Sequence, residues 1–291
     1  MTETSTTSDS GLRPNSPAVW VLIFDRYPRD VVSEESRESH DTGALTPAAR
    51  QGSENTFDRL DLESTCFEQF LLQDVRSNLP ADGVFGGEAA FQKLAEAMTA
   101  ADQTASLVSL KAEGASFTDH EDNSAMESSL RGCGIPLHPA IRLGCGNLDA
   151  AATADDGLTN HDRAFLANLV WIEAPIASSA NAATAAKKIL EFVFRRRQSC
   201  SMPEGHCPVL IVTFRAGDDR DVREPLKSGI AENRMHVPLW IQPHAGHACR
   251  VQALAGSFDL LPTIETRAIS ATARSSVCAA GCSQGSPATS A

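Results

Sequence analysis

Pro208-Val209-Leu210-Ile211-Val212-Thr213-Phe214-Arg215-Ala216-Gly217-Asp218-Asp219 is the stretch whose reading decides the fold. Its first half is an uninterrupted β-branched and aliphatic run, the signature of a strand buried on both faces of a parallel sheet. Its second half is a turn, placed where an open α/β sheet presents its chemistry. A charged crossing follows and ends at His236. Val237-Pro238-Leu239-Trp240-Ile241 then reads as a second apolar strand, with Pro238 pointing to an edge or strand-start position.

Outward from this pair, the same signals recur. Val19-Trp20-Val21-Leu22-Ile23-Phe24 is a strong strand with Asp25 at its C-terminal end, and Leu169-Val170-Trp171-Ile172 centres another over 165–174. Leu107-Val108-Ser109-Leu110 is a shorter candidate strand. Apolar residues at helical spacing predict helices over 57–73, 88–101 and 182–197, and a helix-like arm over 251–264. Segment 113–154, rich in Gly, Ser, Asp and His, shows no clear element. Strands alternating with helices predict an α/β fold with a mainly parallel central sheet flanked by helices.

Composition narrows the function classes. The chain has 291 residues and a formal net charge of −12, which leaves no basic surplus for neutralising phosphates and excludes a nucleic-acid partner. Arg195-Arg196-Arg197 is the one dense basic run, read as a partner of its helix's C-terminal dipole. No apolar run approaches the roughly 20 residues that span a bilayer, so no membrane partner is expected. Residues 1–17 are polar and lack a signal-peptide core, and 265–291 are Ala/Ser-rich; both read as disordered, with one domain over 18–264 in a soluble cytoplasmic protein. The eight cysteines are expected as reduced thiols, and the spacing of Cys133 and Cys145 matches no zinc pattern. His244, His247 and Cys249 lie in a Gly-containing loop and are weak candidates for a metal site.

Several segments, in order, resemble the sulfatases of the alkaline phosphatase superfamily. The strand ending at Asp25 is similar to the family's opening strand, which ends in paired metal-binding aspartates. Leu45-Thr46-Pro47 and Phe57-Asp58-Arg59-Leu60 resemble its Thr-Pro and Asp-Arg-Leu pieces. The Val209–Thr213 run resembles the strand before its Ser-Asp-His-Gly loop, His236-Val237-Pro238-Leu239 its His-Val-Pro-Leu strand, and Phe258-Asp259-Leu260-Leu261-Pro262-Thr263 its Val-Asp-Leu-Ala-Pro-Thr arm. The resemblance implies an alkaline phosphatase-like (sulfatase) fold, ending here without the family's C-terminal subdomain. It also implies hydrolysis of sulfate esters with a divalent cation, usually calcium, and a formylglycine made within a Cys-x-Pro-x-Arg motif.

The residues depart from that chemistry. Asp25 matches one metal-binding aspartate, but Arg26 stands beside it, and a cation there repels calcium. In the loop after Thr213 the family's Asp-His pair falls on Arg215 and Ala216, with Asp218 and Asp219 at shifted positions. No Cys-x-Pro-x-Arg or Ser-x-Pro-x-Arg motif occurs. The vestigial pocket is therefore Asp25, Arg26, Arg215, Ala216, Asp218 and Asp219, with Asp25 the one matched metal position and no catalytic residue assigned. This reading expects a catalytically inactive homologue with no cofactor, or calcium or magnesium if active, and an unidentified partner. Two alternatives stand beside it: a hydrolase whose metal is held by Asp25, Asp218, Asp219 and one of His236, His244 or His247, and a protein-interaction scaffold. A cation in a former ligand loop can neutralise the leftover carboxylate, so a close approach of Arg215 to Asp25 is expected; a separation above about 8 Å removes the idea.

Overall fold

The computed structural model describes residues 19–25, 56–72, 87–111, 125–144, 164–174, 182–200, 207–216, 235–243 and 249–266. The expected leader, residues 267–291 of the expected tail, the Leu45-Thr46-Pro47 piece, Arg26, Cys145, Gly217, Asp218, Asp219, His244 and His247 lie outside these residues, while 265 and 266, expected as disordered tail, are helical.

Nine strands form one sheet: β1 Val19–Phe24, β2 Thr65–Leu71, β3 Ala105–Lys111, β4 Ile141–Gly144, β5 Leu169–Ala174, β6 Val209–Phe214, β7 His236–Gln242, β8 Cys249–Val251 and β9 Ala255–Gly256. Their order is β4-β3-β5-β1-β6-β7-β2-β8, with β9 also on β2. The pairs β3–β4, β3–β5, β1–β5 and β1–β6 are parallel, and β7 runs antiparallel to both of its neighbours. The apolar runs explain the centre: every residue of β1 and β6 is buried, as a strand covered on both faces requires.

Helices α1 Thr56–Glu63, α2 Glu88–Ala100, α3 Ala125–Gly132, α4 Ala182–Ser199 and α5 (257–266) complete the described elements. The sheet is covered on both sides. Phe165 bridges Trp20 of β1 and Phe192 of α4, and Phe57 of α1 packs on Trp240 of β7, all on one face. Phe91 of α2 packs on Trp171 of β5 on the other face, with ring centroids 5.8 Å apart. Gly87, with φ 94°, opens α2 in a backbone region that glycine alone enters without strain.

Several expectations are corrected. The helix predicted over 57–73 ends at Glu63, and Thr65–Leu71 is a strand. The buried Cys66 and Phe70 are four apart, as on one face of a helix, but Cys66 pairs with Trp240 and Phe70 with Val237, so they lie on opposite faces of the sheet. Pairing to β7, with a register shift between Phe67 and Phe70, decides for the strand.

Pro238 does not mark an edge: β7 lies inside the sheet, between β6 and β2. The proline is tolerated because it faces the β2 irregularity, as prolines within sheets do. Segment 113–154 contains helix α3 and edge strand β4. The arm over 251–264 begins as strand: β8 and β9 precede α5, and Asp259 accepts a hydrogen bond from the Gly256 N–H at 3.0 Å, as the third residue of a capped helix does.

The basic run is also corrected. Arg196 and Arg197 are buried. Arg197 donates to the backbone carbonyls of Pro208, Gln242 and Pro243, so it ties α4 to the start of β6 and the end of β7 rather than capping its own helix.

Candidate functional site

Side chains alternate along a strand, and residues paired in parallel strands share a face. Val19 pairs with both Leu169 and Val209, and Ile23 with both Glu173 and Thr213. Glu173 also pairs with Ser109. Ser109, Glu173, Ile23 and Thr213 therefore form one row across β3, β5, β1 and β6. Two residues further along, Asp25 and Arg215 leave β1 and β6 on that same face. The row lies at the C-terminal ends of parallel strands, where open α/β sheets bind ligands.

The side chains converge there. The Arg215 guanidinium donates to Glu173 Oε1 at 3.2 Å and stands 3.7 Å from Asp25 Oδ1. Ser109 Oγ donates to the second oxygen, Glu173 Oε2, at 3.2 Å. The backbone holds the termini in step: Arg215 N–H donates to the Phe24 carbonyl at 2.7 Å, and Asp25 N–H to the Ala174 carbonyl at 3.2 Å. Exposure distinguishes the two acids. The Glu173 side chain retains 14% of its accessible surface and Asp25 43%, so Glu173 is the acid that more needs a fixed counter-charge.

Asp25 and Arg215 are thus adjacent, well inside the 8 Å limit. Ala216 follows Arg215 as a half-buried turn residue. His236 begins β7 at the same end of the sheet, exposed to solvent. Val212 pairs with Trp240, so alternation along β7 puts His236 on the face opposite Thr213 and separates it from the carboxylates. Cys249 is exposed on β8, beyond β2, and donates to Thr65 Oγ1 at 3.6 Å; it is remote from Asp25.

Glu173 and Ser109 were missed in the sequence. The available signal was a strand-end acid: Glu173 follows Val170-Trp171-Ile172 much as Asp25 follows its own strand, two apolar runs that end in carboxylates.

Among the described residues, no group of three or more His, Cys, Asp and Glu side chains could hold a metal ion. The calcium or magnesium implied by the resemblance does not fit these residues as they stand. Among the described residues, Asp25 and Glu173 are the carboxylates at this place, and a guanidinium already lies across them. A divalent cation in the same space would meet a fixed positive charge within a few ångströms.

No protein-family model matches the chain. No curated protein matches it by sequence. Solved structures do match. A protein of the alkaline phosphatase superfamily from Vibrio parahaemolyticus aligns with a TM-score of 0.52 at 13% identity, over 86% of this chain and 65% of that one. A phosphonate monoester hydrolase from Silicibacter pomeroyi aligns with a TM-score of 0.46 at 13% identity, over 87% and 73%. A 2-O GAG sulfatase aligns with a TM-score of 0.47 at 11% identity, over 87% and 70%. The first likeness establishes the fold as that of the alkaline phosphatase superfamily. The chain spans less than two thirds of the length of that Vibrio protein. No described helix is long and apolar enough to cross a membrane.

Proposed function

We propose that this chain is a sulfatase-like domain without sulfuric ester hydrolase chemistry: a pseudoenzyme that acts by binding or regulation. One observation carries the reading. Arg215, at a position where the resemblance calls for a metal-ligating acid, lies 3.2 Å from Glu173 and 3.7 Å from Asp25, so a cation of the protein stands between the two carboxylates. The sequence supports the same reading, because it has no Cys-x-Pro-x-Arg or Ser-x-Pro-x-Arg motif to supply the nucleophile. On this reading a guanidinium stands where a Lewis acid would polarise the sulfuryl oxygens, and no formylglycine motif supplies the nucleophile, the two terms that lower the barrier.

The test is turnover of 4-nitrophenyl sulfate and 4-nitrophenyl phosphate by the full chain, with calcium, magnesium, manganese and zinc supplied in turn. The expected rate equals the protein-free background in every case. Turnover that disappears in Asp25→Ala overturns the proposal.

A further inference from the structure

We infer that β8 is a strap over the outer edge of β2, latched by the two ion pairs of Arg250, and that it opens without unfolding the sheet to uncover Cys66. This device is independent of the reading above: β7 and β2 separate β8 from β6 and Arg215.

Three observations carry it. First, β8 is held without the core. It is three residues long, it ends the sheet beside β2, and none of its side chains joins the apolar core; Cys249 and Arg250 are exposed and Val251 is half-buried. The chain then leaves β2 over 252–254, where Leu254 is exposed, and returns to it as β9. Firm apolar anchorage resumes in α5, whose Leu260, Leu261 and Ile264 are buried. Second, the ion pairs of β8 rest on one residue. Arg250 Nη2 lies 3.2 Å from Asp61 Oδ2 of α1, and Nη1 lies 3.1 Å from Glu68 Oε1 of β2. One guanidinium therefore ties the strap to both a strand and a helix. Its side chain is 52% exposed, so water and salt compete for both contacts and each holds only weakly.

Third, the latch lies beside a buried thiol. Cys66 pairs with Trp240 on one side and with Arg250 on the other, so β8 closes the flank of Cys66 that β7 leaves open. With the strap in place Cys66 is 5% exposed. A short strand without core contacts, fastened by solvent-exposed charges, belongs to the low-stability end of a fold, where local opening precedes global unfolding.

Iodoacetamide labelling of the full chain tests this, with the Cys66 peptide followed by mass spectrometry. Arg250→Gln speeds Cys66 labelling by roughly threefold to tenfold, and Glu68→Gln by less. Adding Glu68→Gln to Arg250→Gln brings no further gain, because Glu68 acts through Arg250. Arg250→Lys, which keeps the charge, falls between the native chain and Arg250→Gln. The sign separates opening from a direct effect of charge on the thiol. Burial and the Asp61 carboxylate raise the Cys66 thiol while the Arg250 cation lowers it, so loss of Arg250 without opening would slow labelling. Raising the ionic strength from about 0.01 M to about 1 M shortens the screening length from about 30 Å to about 3 Å and speeds labelling of the native chain but not of Arg250→Gln. Low urea leaves the native rate nearly flat, since release of one short strand uncovers little surface. These last two measurements on the native chain stand even where a variant fails to fold. A folded Arg250→Gln protein labelled no faster than the native chain, a native rate indifferent to salt, or a native rate that climbs with urea as steeply as global unfolding overturns the inference.

Discussion

Glu173 of β5 and Arg215 at the end of β6 meet at 3.2 Å across the end of β1, the strand that lies between theirs. The contact spans a sequence separation of 42 residues and joins the two neighbours of the central strand over the site. It makes Glu173, rather than the more exposed Asp25, the main anchor of the cation.

Glu173→Gln is expected to destabilise the fold more than Asp25→Asn. The glutamine keeps an acceptor for Ser109 but loses the charge that holds Arg215. A hydrogen bond to a charged, mostly buried partner contributes about 1.5–3 kcal/mol, whereas a half-exposed ion pair contributes about 0–1 kcal/mol. Urea unfolding of both variants measures the difference. Equal losses would show that Glu173 has no special hold on Arg215.

Arg197→Met is expected to cost about 2–4 kcal/mol, because up to three backbone carbonyls lose a donor at a buried or partly buried position. Burial already pushes the Arg197 guanidinium below its ordinary pKa, a sign of how little water reaches it. Arg197→Lys should recover only part of the loss, since an ammonium lacks the fork that reaches Pro208, Gln242 and Pro243 together. Denaturant midpoints at constant slope give both values. A loss under about 0.5 kcal/mol, the ordinary surface range, would remove the clamp role.

These two arginines show where sequence reading succeeds and where it stops. The apolar runs of β1, β5 and β6 announce a parallel sheet because strands covered on both faces carry no alternation to confuse. Asp25 and Arg215 are legible as strand-end residues for the same reason. Glu173 is legible as a strand-end acid but not as the anchor of Arg215, because that role comes from register: nothing in the chain before folding says that position 173 will share a row with 109 and 23. Arg197 fails in the same way. Its helix is plain from spacing, but its partners are carbonyls 11, 45 and 46 residues away. Cys66 and Phe70 mislead because their spacing of four suits a helix face, whereas the register shift against β7 puts them on opposite faces of the sheet.

Trp240→Phe is expected to destabilise by about 1.5–3 kcal/mol, the order of one hydrogen bond to a charged acceptor. The indole N–H donates to Asp61 Oδ1 at 2.6 Å, which joins β7 to α1, while the ring packs between Phe57 and Phe214. Phenylalanine keeps most of the packing and loses the bond. Asp61→Asn in the Trp240→Phe background should then cost less than in the native chain, which a double-mutant cycle reads directly.

Cys66 gives a pH dependence with a definite sign. Burial raises its thiol, with a smaller push from the Asp61 carboxylate, from 9.0 up to about 12. The folded state therefore holds the proton more tightly than the unfolded chain. Its contribution to stability is fully present below pH 9 and is lost as pH rises from there toward 12, where the unfolded chain ionises and the folded one resists. The native chain should accordingly lose stability relative to Cys66→Ala above pH 9, with a limiting slope of about 1.4 kcal/mol per pH unit for one proton. Urea midpoints of the two proteins at intervals from pH 8 to pH 11 (on the order of one unit apart) resolve this. The same proton retention makes Cys66 slow toward alkylation, while exposed Cys249 reacts before it when labelled peptides are mapped by mass spectrometry. Parallel pH profiles, or Cys66 labelled ahead of Cys249, would show that the β2 thiol is not shielded by the β7 and β8 packing around it.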